Sequence, residues 1–303
     1  MKVINKFGLA VLSAILMLGS QSCHKDIPQQ DGKYPILFGN YETRATAGLD
    51  DLQDNGFKVY AYFKGNTDDS ATFEKNVTYN SAQNVWGYEE LEYWIPGVTY
   101  WFKAFYPSTP SAGALTVNNT SSEQIFSIAD FDITKQEDIM VATAYEEVED
   151  DKQAPNNGSV VNLVFEHLLA NVTIKVKSQI DGVTIQKITL GGIDTNSEYN
   201  GNVWRSSNTT SIEYNSSTTL TKGADYVDVT GGGILVVPAR SNKSLTVEAN
   251  KTYNLTFPAG TWEPGNRYTY TIEIKQDDIV FVDNAPYVED WDSENATGSV
   301  IIK

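Results

Sequence analysis

Residues 161–176, VNLVFEHLLANVTIKV, restrict the fold more than any other stretch of this chain. Val161, Leu163, Phe165 and Leu169 occupy odd positions, and Ala170, Val172, Ile174 and Val176 even ones. A period of two is strand periodicity, because successive side chains of a β-strand point to opposite faces. The change of phase near Leu169 turns every later side chain over, so the strand must bulge there or leave one sheet and enter another. The stretch lies near mid-chain. It reads as the seam between two β-domains, made of one long shared strand or of two strands end to end.

Both flanks repeat the strand grammar. Upstream, residues 34–44, 57–64, 73–79, 85–95, 100–106 and 138–145 are strand candidates, punctuated by Gly65-Asn66, Asn80-Ser81, Pro96-Gly97 and residues 107–111. In the first of these Tyr34, Ile36 and Phe38 alternate on one face, and the segment runs into the small, polar loop Thr43-Arg44-Ala45-Thr46-Ala47-Gly48. Downstream, residues 183–190, 203–205, 212–214, 227–229, 234–237, 245–257, 268–275 and 279–282 follow suit. The Ser/Thr/Asn-rich residues 206–221 read as a long loop or an edge strand. Short strands with turn residues between them, and no sustained helical period, predict an all-β chain of antiparallel sandwiches.

The N-terminus carries an address. Lys2 and Lys6 precede an apolar run at residues 7–18, too short to span a bilayer, and small residues then lead to Cys23, the one cysteine. This is the pattern of a bacterial lipoprotein signal over residues 1–22, with Cys23 acylated and residues 23–33 a polar tether. The remainder suits two domains, residues 34–166 and 167–303. Asp and Glu number 39 against 22 Lys and Arg, which argues against a nucleic-acid partner. With Cys23 lipidated no disulfide can form, so stability must come from buried core.

Catalytic patterns are missing from the sequence. Of the two histidines, His24 falls in the tether and His167 in the seam, with no nucleophile motif near either. His167 reads as a packing or hydrogen-bonding residue. No zinc-ligand set, P-loop or dinucleotide fingerprint occurs, and no cofactor or metal is expected. The acidic pairs Asp50-Asp51 and Asp68-Asp69 and the run 146–151 lack the ligand spacing of a calcium loop and read as solvated. Trp86, Tyr88, Tyr93, Trp94, Tyr100 and Trp101 read first as sheet packing, and otherwise as a sugar-stacking platform. The chain is expected to be a non-enzymatic surface protein.

Several of these pieces, in this order, resemble one family. They are the lipoprotein signal, Ile36-x-Phe38 leading to Thr43-Arg44-Ala45, Phe57-x-Val59-x-Ala61, and Tyr100-x-Phe102-x-Ala104-x-Tyr106-Pro107. The last is Phe165-x-His167-x-Leu169-Ala170 with the alternating residues up to Val176. Together they look like the fimbrillin-like family, the subunits of type V pili of anaerobic Gram-negative bacteria. The resemblance implies two transthyretin-like β-sandwich domains, export as an outer-membrane lipoprotein to the cell surface, and assembly with other pilus subunits by strand exchange. It further implies a trypsin-like processing protease cutting between Arg44 and Ala45, residues 34–43 as the displaced strand with Tyr34, Ile36 and Phe38 facing inward, and a C-terminal donor strand. Val300 and Ile302 match the period such a donor needs, with residues 279–282 a further candidate. A fimbrial subunit would act in cell adhesion, toward a host or bacterial surface glycan or protein.

Two other readings follow from the residues. A non-polymerising, glycan-binding surface lipoprotein would use exposed tryptophans on a similar sandwich. A carboxylate glycosidase would need two acids facing each other about 5 to 9.5 Å apart.

Overall fold

The computed structural model describes residues 32–39, 49–65, 70–82, 85–119, 124–156, 158, 160–238 and 243–291. The signal, Cys23, most of the tether, Arg44, Ala45, Val300 and Ile302 lie outside the described residues. In chain order the first half contains β1 (Leu37–Gly39), α1 (Leu49–Asn55), β2 (Phe57–Gly65), β3 (Ser70–Asn80), β4 (Val85–Gly87) and β5 (Val98–Tyr106). It continues with β6 (Ala114–Asn119), β7 (Gln124–Phe131), a 3-10 turn at Ile133–Lys135, β8 (Met140–Val148), β9 (Val160–Asn162), β10 (Glu166–His167) and β11 (Ala170–Ser178). The second half adds β12 (Val183–Thr195), β13 (Ser197–Tyr199), β14 (Trp204–Arg205), β15 (Asn208–Leu220), β16 (Val227–Asp228) and β17 (Ile234–Val236). Last come β18 (Ser244–Glu248), β19 (Thr252–Thr256), β20 (Asn266–Ile274), β21 (Ile279–Phe281) and β22 (Tyr287–Asp290). The chain is all-β as its patterning predicts, and no described helix is long and apolar enough to cross a membrane.

The N-terminal half is built on one antiparallel sheet in the order β10-β8-β5-β2-β3-β4. Alternation places Phe57, Val59 and Ala61 of β2, Tyr100, Phe102 and Ala104 of β5, and Met140 and Ala142 of β8 in one buried cluster. The layer that covers them is thin. It consists of Ile36 and Phe38, Leu52 of α1, Trp94, and Val161, Leu163 and Phe165. Among the described residues its one ladder is the two-stranded parallel pair β1–β9.

The C-terminal half has two complete layers. One sheet runs β16-β11-β20-β21, with β17 also on β11 and β22 also on β20, and the other runs β15-β12-β18-β19. Val172, Ile174 and Ile272 from the first share a core with Ile188, Leu190 and Val247 from the second. The β11–β20 ladder is parallel, a departure from the antiparallel expectation, and residues 170–174 are buried on both faces as a central parallel strand requires. Residues 208–220, within the Ser/Thr/Asn-rich stretch, form the edge strand β15.

A further sheet, β14-β13-β7-β6, draws strands from both halves, with Ile128 opposite Tyr199 and Phe131 opposite Ser197. Phe126, Ile128 and Phe131 therefore belong to the second core although they lie early in the chain. The seam resolves as a change of sheet. β10 pairs with β8, the backbone bends at Leu168 and Leu169, and β11 enters the C-terminal sandwich. Gln136 fastens the crossing, its Nε2 donating to Leu235 O at 2.9 Å and its Oε1 accepting from Leu235 N at 2.9 Å.

Two expected strands are shorter than their patterns. Of residues 85–95 only β4 and an isolated bridge at Tyr93 are extended. Residues 245–257 fold into the hairpin β18–β19, closed by Ala249 N donating to Lys251 O at 3.0 Å.

Candidate functional site: the slot around the first strand

Residues 34–39 lie in a slot between two pieces of backbone. On one side is the strap, residues 88–97, which joins β4 to β5. Ile36 N donates to Glu92 O at 2.8 Å and Trp94 N donates to Tyr34 O at 3.0 Å. These two bonds flank Pro35, opposite Tyr93 in antiparallel sense, so the N–H that proline lacks is not needed. On the other side β1 runs parallel to β9, with Leu37, Phe38 and Gly39 opposite Val160, Val161 and Asn162. Gly39 O accepts from Leu163 N at 3.1 Å.

Side chains fix the strand's register. Ile36 is 0 % exposed and Phe38 4 %. The Phe38 ring is gripped by Tyr88 at 5.5 Å and, edge-on, by Phe102 at 5.7 Å. The Tyr88 hydroxyl donates to Ile36 O at 2.6 Å and accepts from Glu92 N at 3.2 Å, so one phenol joins strand to strap. Burial pushes the Tyr88 pKa up to about 12, which keeps that hydroxyl a donor. Trp94 seats the far end of the strap, edge-on to Tyr100 at 4.8 Å, while the Tyr100 hydroxyl accepts from Ile95 N at 3.0 Å.

Were residues 34–39 withdrawn, Glu92 O, Trp94 N, Leu163 N and the Tyr88 hydroxyl would lose their partners above an apolar cleft. Burial of Ile36 and Phe38 stabilises the occupied slot by roughly 1.5 to 3 kcal/mol each. An unpaired buried backbone group costs about 1 to 3 kcal/mol. An extended strand satisfies both the backbone groups and the two side-chain positions.

Of the residues singled out in the sequence, the structure brings Tyr34, Ile36 and Phe38 into the slot. The aromatic set is divided by the sheet. Trp86, Tyr88, Trp94 and Tyr100 pack on the core side, with Trp94 and Tyr100 no more than 3 % exposed. Trp101, from the opposite face of β5, lies between Tyr62 at 5.4 Å and Tyr145 at 5.8 Å. They do not assemble into one exposed platform. His167 is buried in the seam, its Nδ1 2.7 Å from Asp138 Oδ2 and its ring stacked on Trp291 at 3.9 Å. Among the described residues no group of His, Cys, Asp and Glu could hold a metal ion.

Sequence reasoning missed the strap's share in the slot. Tyr88 and Trp94 were visible as aromatics, but the signal that they wall a strand, Pro-tolerant pairing opposite Tyr93, exists only in three dimensions.

Comparison with known proteins bears on the fold and on the family. A family model described as fimbrillin-like matches residues 43–291. Among curated proteins none matches. A crystal structure of a fimbrial protein from Bacteroides vulgatus superposes with a TM-score of 0.60 at 16 % identity, covering 85 % of this chain and 99 % of that one. A protein from Bacteroides uniformis, described as a cell-adhesion candidate, gives 0.53 at 19 % identity, covering 87 % and 100 %. At such identities the likeness speaks to the fold alone.

Proposed function

The chain belongs to the fimbrillin-like family, and from that premise we propose that it is a structural subunit of a cell-surface pilus that assembles by exchange of its first strand. In this reading the protein is exported as a lipoprotein acylated at Cys23. A trypsin-like protease cuts between Arg44 and Ala45, residues 34–43 leave, and the slot is refilled by the C-terminal strand of another subunit. Val300 and Ile302 would occupy the positions of Ile36 and Phe38. Residues 34–166 and 167–303 are read as two domains, with β6 and β7 of the first lent to the core of the second.

The observation that carries the reading is the seating of residues 34–39. They complete a core, yet they enter it from one end of the described chain, between a strap and a three-residue ladder. A segment so placed can be withdrawn along its own axis without unravelling the sheet beneath. The glycan-binding alternative has no comparable observation behind it.

The test is mild trypsin treatment of the mature chain, followed by intact mass and an unheated detergent gel. A single cut after Arg44, loss of the first strand and a ladder of oligomers are expected, and Arg44→Ala should abolish all three while leaving the fold intact. Normal polymers from Arg44→Ala would end the reading.

A further inference from the structure

The strap is anchored unequally at its two ends. Trp94 is 3 % exposed, its ring wedged edge-on against Tyr100 and Phe102. The other end is held from outside by one cation. Lys75 of β3 extends its Nζ to Glu92 Oε1 at 2.9 Å and donates to Glu90 O at 2.9 Å. The same ammonium lies 5.9 Å from the centre of the Tyr88 ring. Glu92 carries the carbonyl that receives Ile36 N, and Tyr88 carries the hydroxyl that bonds Ile36 O. Lys75 thus fixes two of the three strap residues that bond the strand, the third being Trp94 at the other end.

Charge and backbone conformation both make this anchor reversible. A solvent-open groove of about 630 Å³ separates β3 from the strap, and Glu74, Glu89 and Glu90 line it with Lys75 as the one cation among the described lining residues. Glu74 is matched by Lys58 at 3.2 Å, which leaves Lys75 to offset the strap's own Glu89, Glu90 and Glu92. Glu90 sits at φ 55°, a left-handed conformation disfavoured for a residue with a Cβ. Removal of the ammonium leaves three carboxylates in mutual repulsion on a strained turn, with open space to move into.

The geometry points to a latch: Lys75 holds the strap closed over residues 34–39, and breaking its contacts to Glu92 and Glu90 opens the slot by a swing about Trp94. This rests on the strand-exchange reading for its purpose, though not for its physics. Lys75 is a positioning residue that sets how fast the slot exchanges its occupant, whereas Ile36 and Phe38 set how well an occupant fits.

The experiment is amide hydrogen exchange on the uncut chain, comparing the parent with Lys75→Met, which keeps the aliphatic stem. Lys187→Met is the control, because Lys187 bridges Glu213 and Glu248 at 3.1 and 3.0 Å on a remote strand. Exchange at the Ile36 and Trp94 amides should rise about tenfold in Lys75→Met, the ratio for about 1.4 kcal/mol. The β2–β5 amides should be unchanged, and Lys187→Met should move neither set. High salt should speed the same two amides in the parent and not in Lys75→Met. Equal exchange in parent and variant, or a uniform rise across the sheet, would overturn the latch. Release of the strand after trypsin, followed by mass, separates the two ideas. If exchange responds to Lys75→Met but the cut strand never leaves either protein, the latch stands and the strand-exchange reading falls. If the strand leaves both at one rate and exchange is unchanged, the latch falls and the reading stands.

Discussion

Around Phe102 the N-terminal core is a set of rings. Phe38, Phe73, Trp94 and Tyr100 all have centroids within 6.4 Å of it, Phe38 and Trp94 edge-on. Around Ile174 the C-terminal core is aliphatic, built from Val172, Ile188, Leu190, Val247 and Ile272 between two full sheets, with rings such as Phe257 and Tyr270 gathered near β21. The first core is completed by a segment at one end of the described chain, and the second by β11, whose two ends are both tied into the fold. Rings packed edge-on leave a slot with flat walls, into which a strand bearing one aliphatic and one aromatic residue can lie. Branched side chains interlocked between two sheets leave none. In the proposed strand exchange, the way a core is filled would matter as much as its edge strands.

The comparison can be broken most directly at Phe102. Phe102→Ala should cost about 3–5 kcal/mol, and Ile174→Ala about 2–5 kcal/mol. Guanidinium unfolding followed by tryptophan fluorescence and far-ultraviolet dichroism should show the first variant losing its N-terminal transition ahead of the rest. A single coincident transition in both variants would mean that the two cores are one cooperative unit. Gln136→Ala, which strips the partners from both backbone groups of Leu235, should cost about 1–3 kcal/mol and separate the transitions further. An unchanged separation would show that the cores are coupled elsewhere.

A milder probe is alkali. Burial pushes Tyr88, Tyr100 and Tyr106 in the N-terminal core and Tyr270 in the C-terminal core to about 12, and raises Tyr199, Tyr253 and Tyr268 of the C-terminal core as well. Folded pKa values above the unfolded value of 10.0 mean stability that is complete below pH 10 and is lost as pH rises toward 12. Because the Tyr88 hydroxyl itself joins the first strand to the strap, its ionisation is expected to open the N-terminal half first, read by tyrosinate absorbance and by exchange at Ile36. Simultaneous opening of both halves would count against the contrast.

The smallest effect concerns Lys243, 4 % exposed, its Nζ 3.6 Å from the Trp262 ring centre and donating to Gly260 O. Burial lowers its pKa to about 8 from 10.5, so the unfolded chain binds the extra proton between those values. Stability should therefore rise with pH from about 8 until the tyrosines begin to ionise near 10. Lys243→Met should be slightly more stable at pH 7, by less than about 2 kcal/mol, and should lack that rise. A melting temperature with the parent's pH profile would remove Lys243 as its source.

Much of this fold is written as alternation. β2, β5, β11 and β20 could be read from residues because each presents apolar side chains at every second position to a sheet face or carries a continuous buried run. The change of sheet at Leu169 showed as a change of phase. What escaped was set by contacts distant in sequence. β6 and β7, at residues 114–131, fell in a stretch where no strand was expected, their apolar residues diluted by Ser, Thr and Asn, and they owe their place to Phe126 against Phe105 and Tyr199. α1 has only seven residues, too few for a helical period to register. Of the slot, Ile36 and Phe38 were legible as a strand face. Lys75 was not, since one lysine among alternating polar residues on β3 looks like any solvated charge until the strap is folded over it.

Residues 160–178 run without interruption from β9, the partner of β1, through β10 to β11 in the middle of the second core. Mechanically this is a load path. The first strand lies parallel to β9, so a pull along its axis meets that ladder in shear, where the bonds share tension instead of unzipping singly. The tension then passes down one covalent backbone into β11, clamped by eight register pairs to β20. With three register pairs at the slot against eight in the sandwich, the first joint expected to yield under such a pull is the short ladder at the slot.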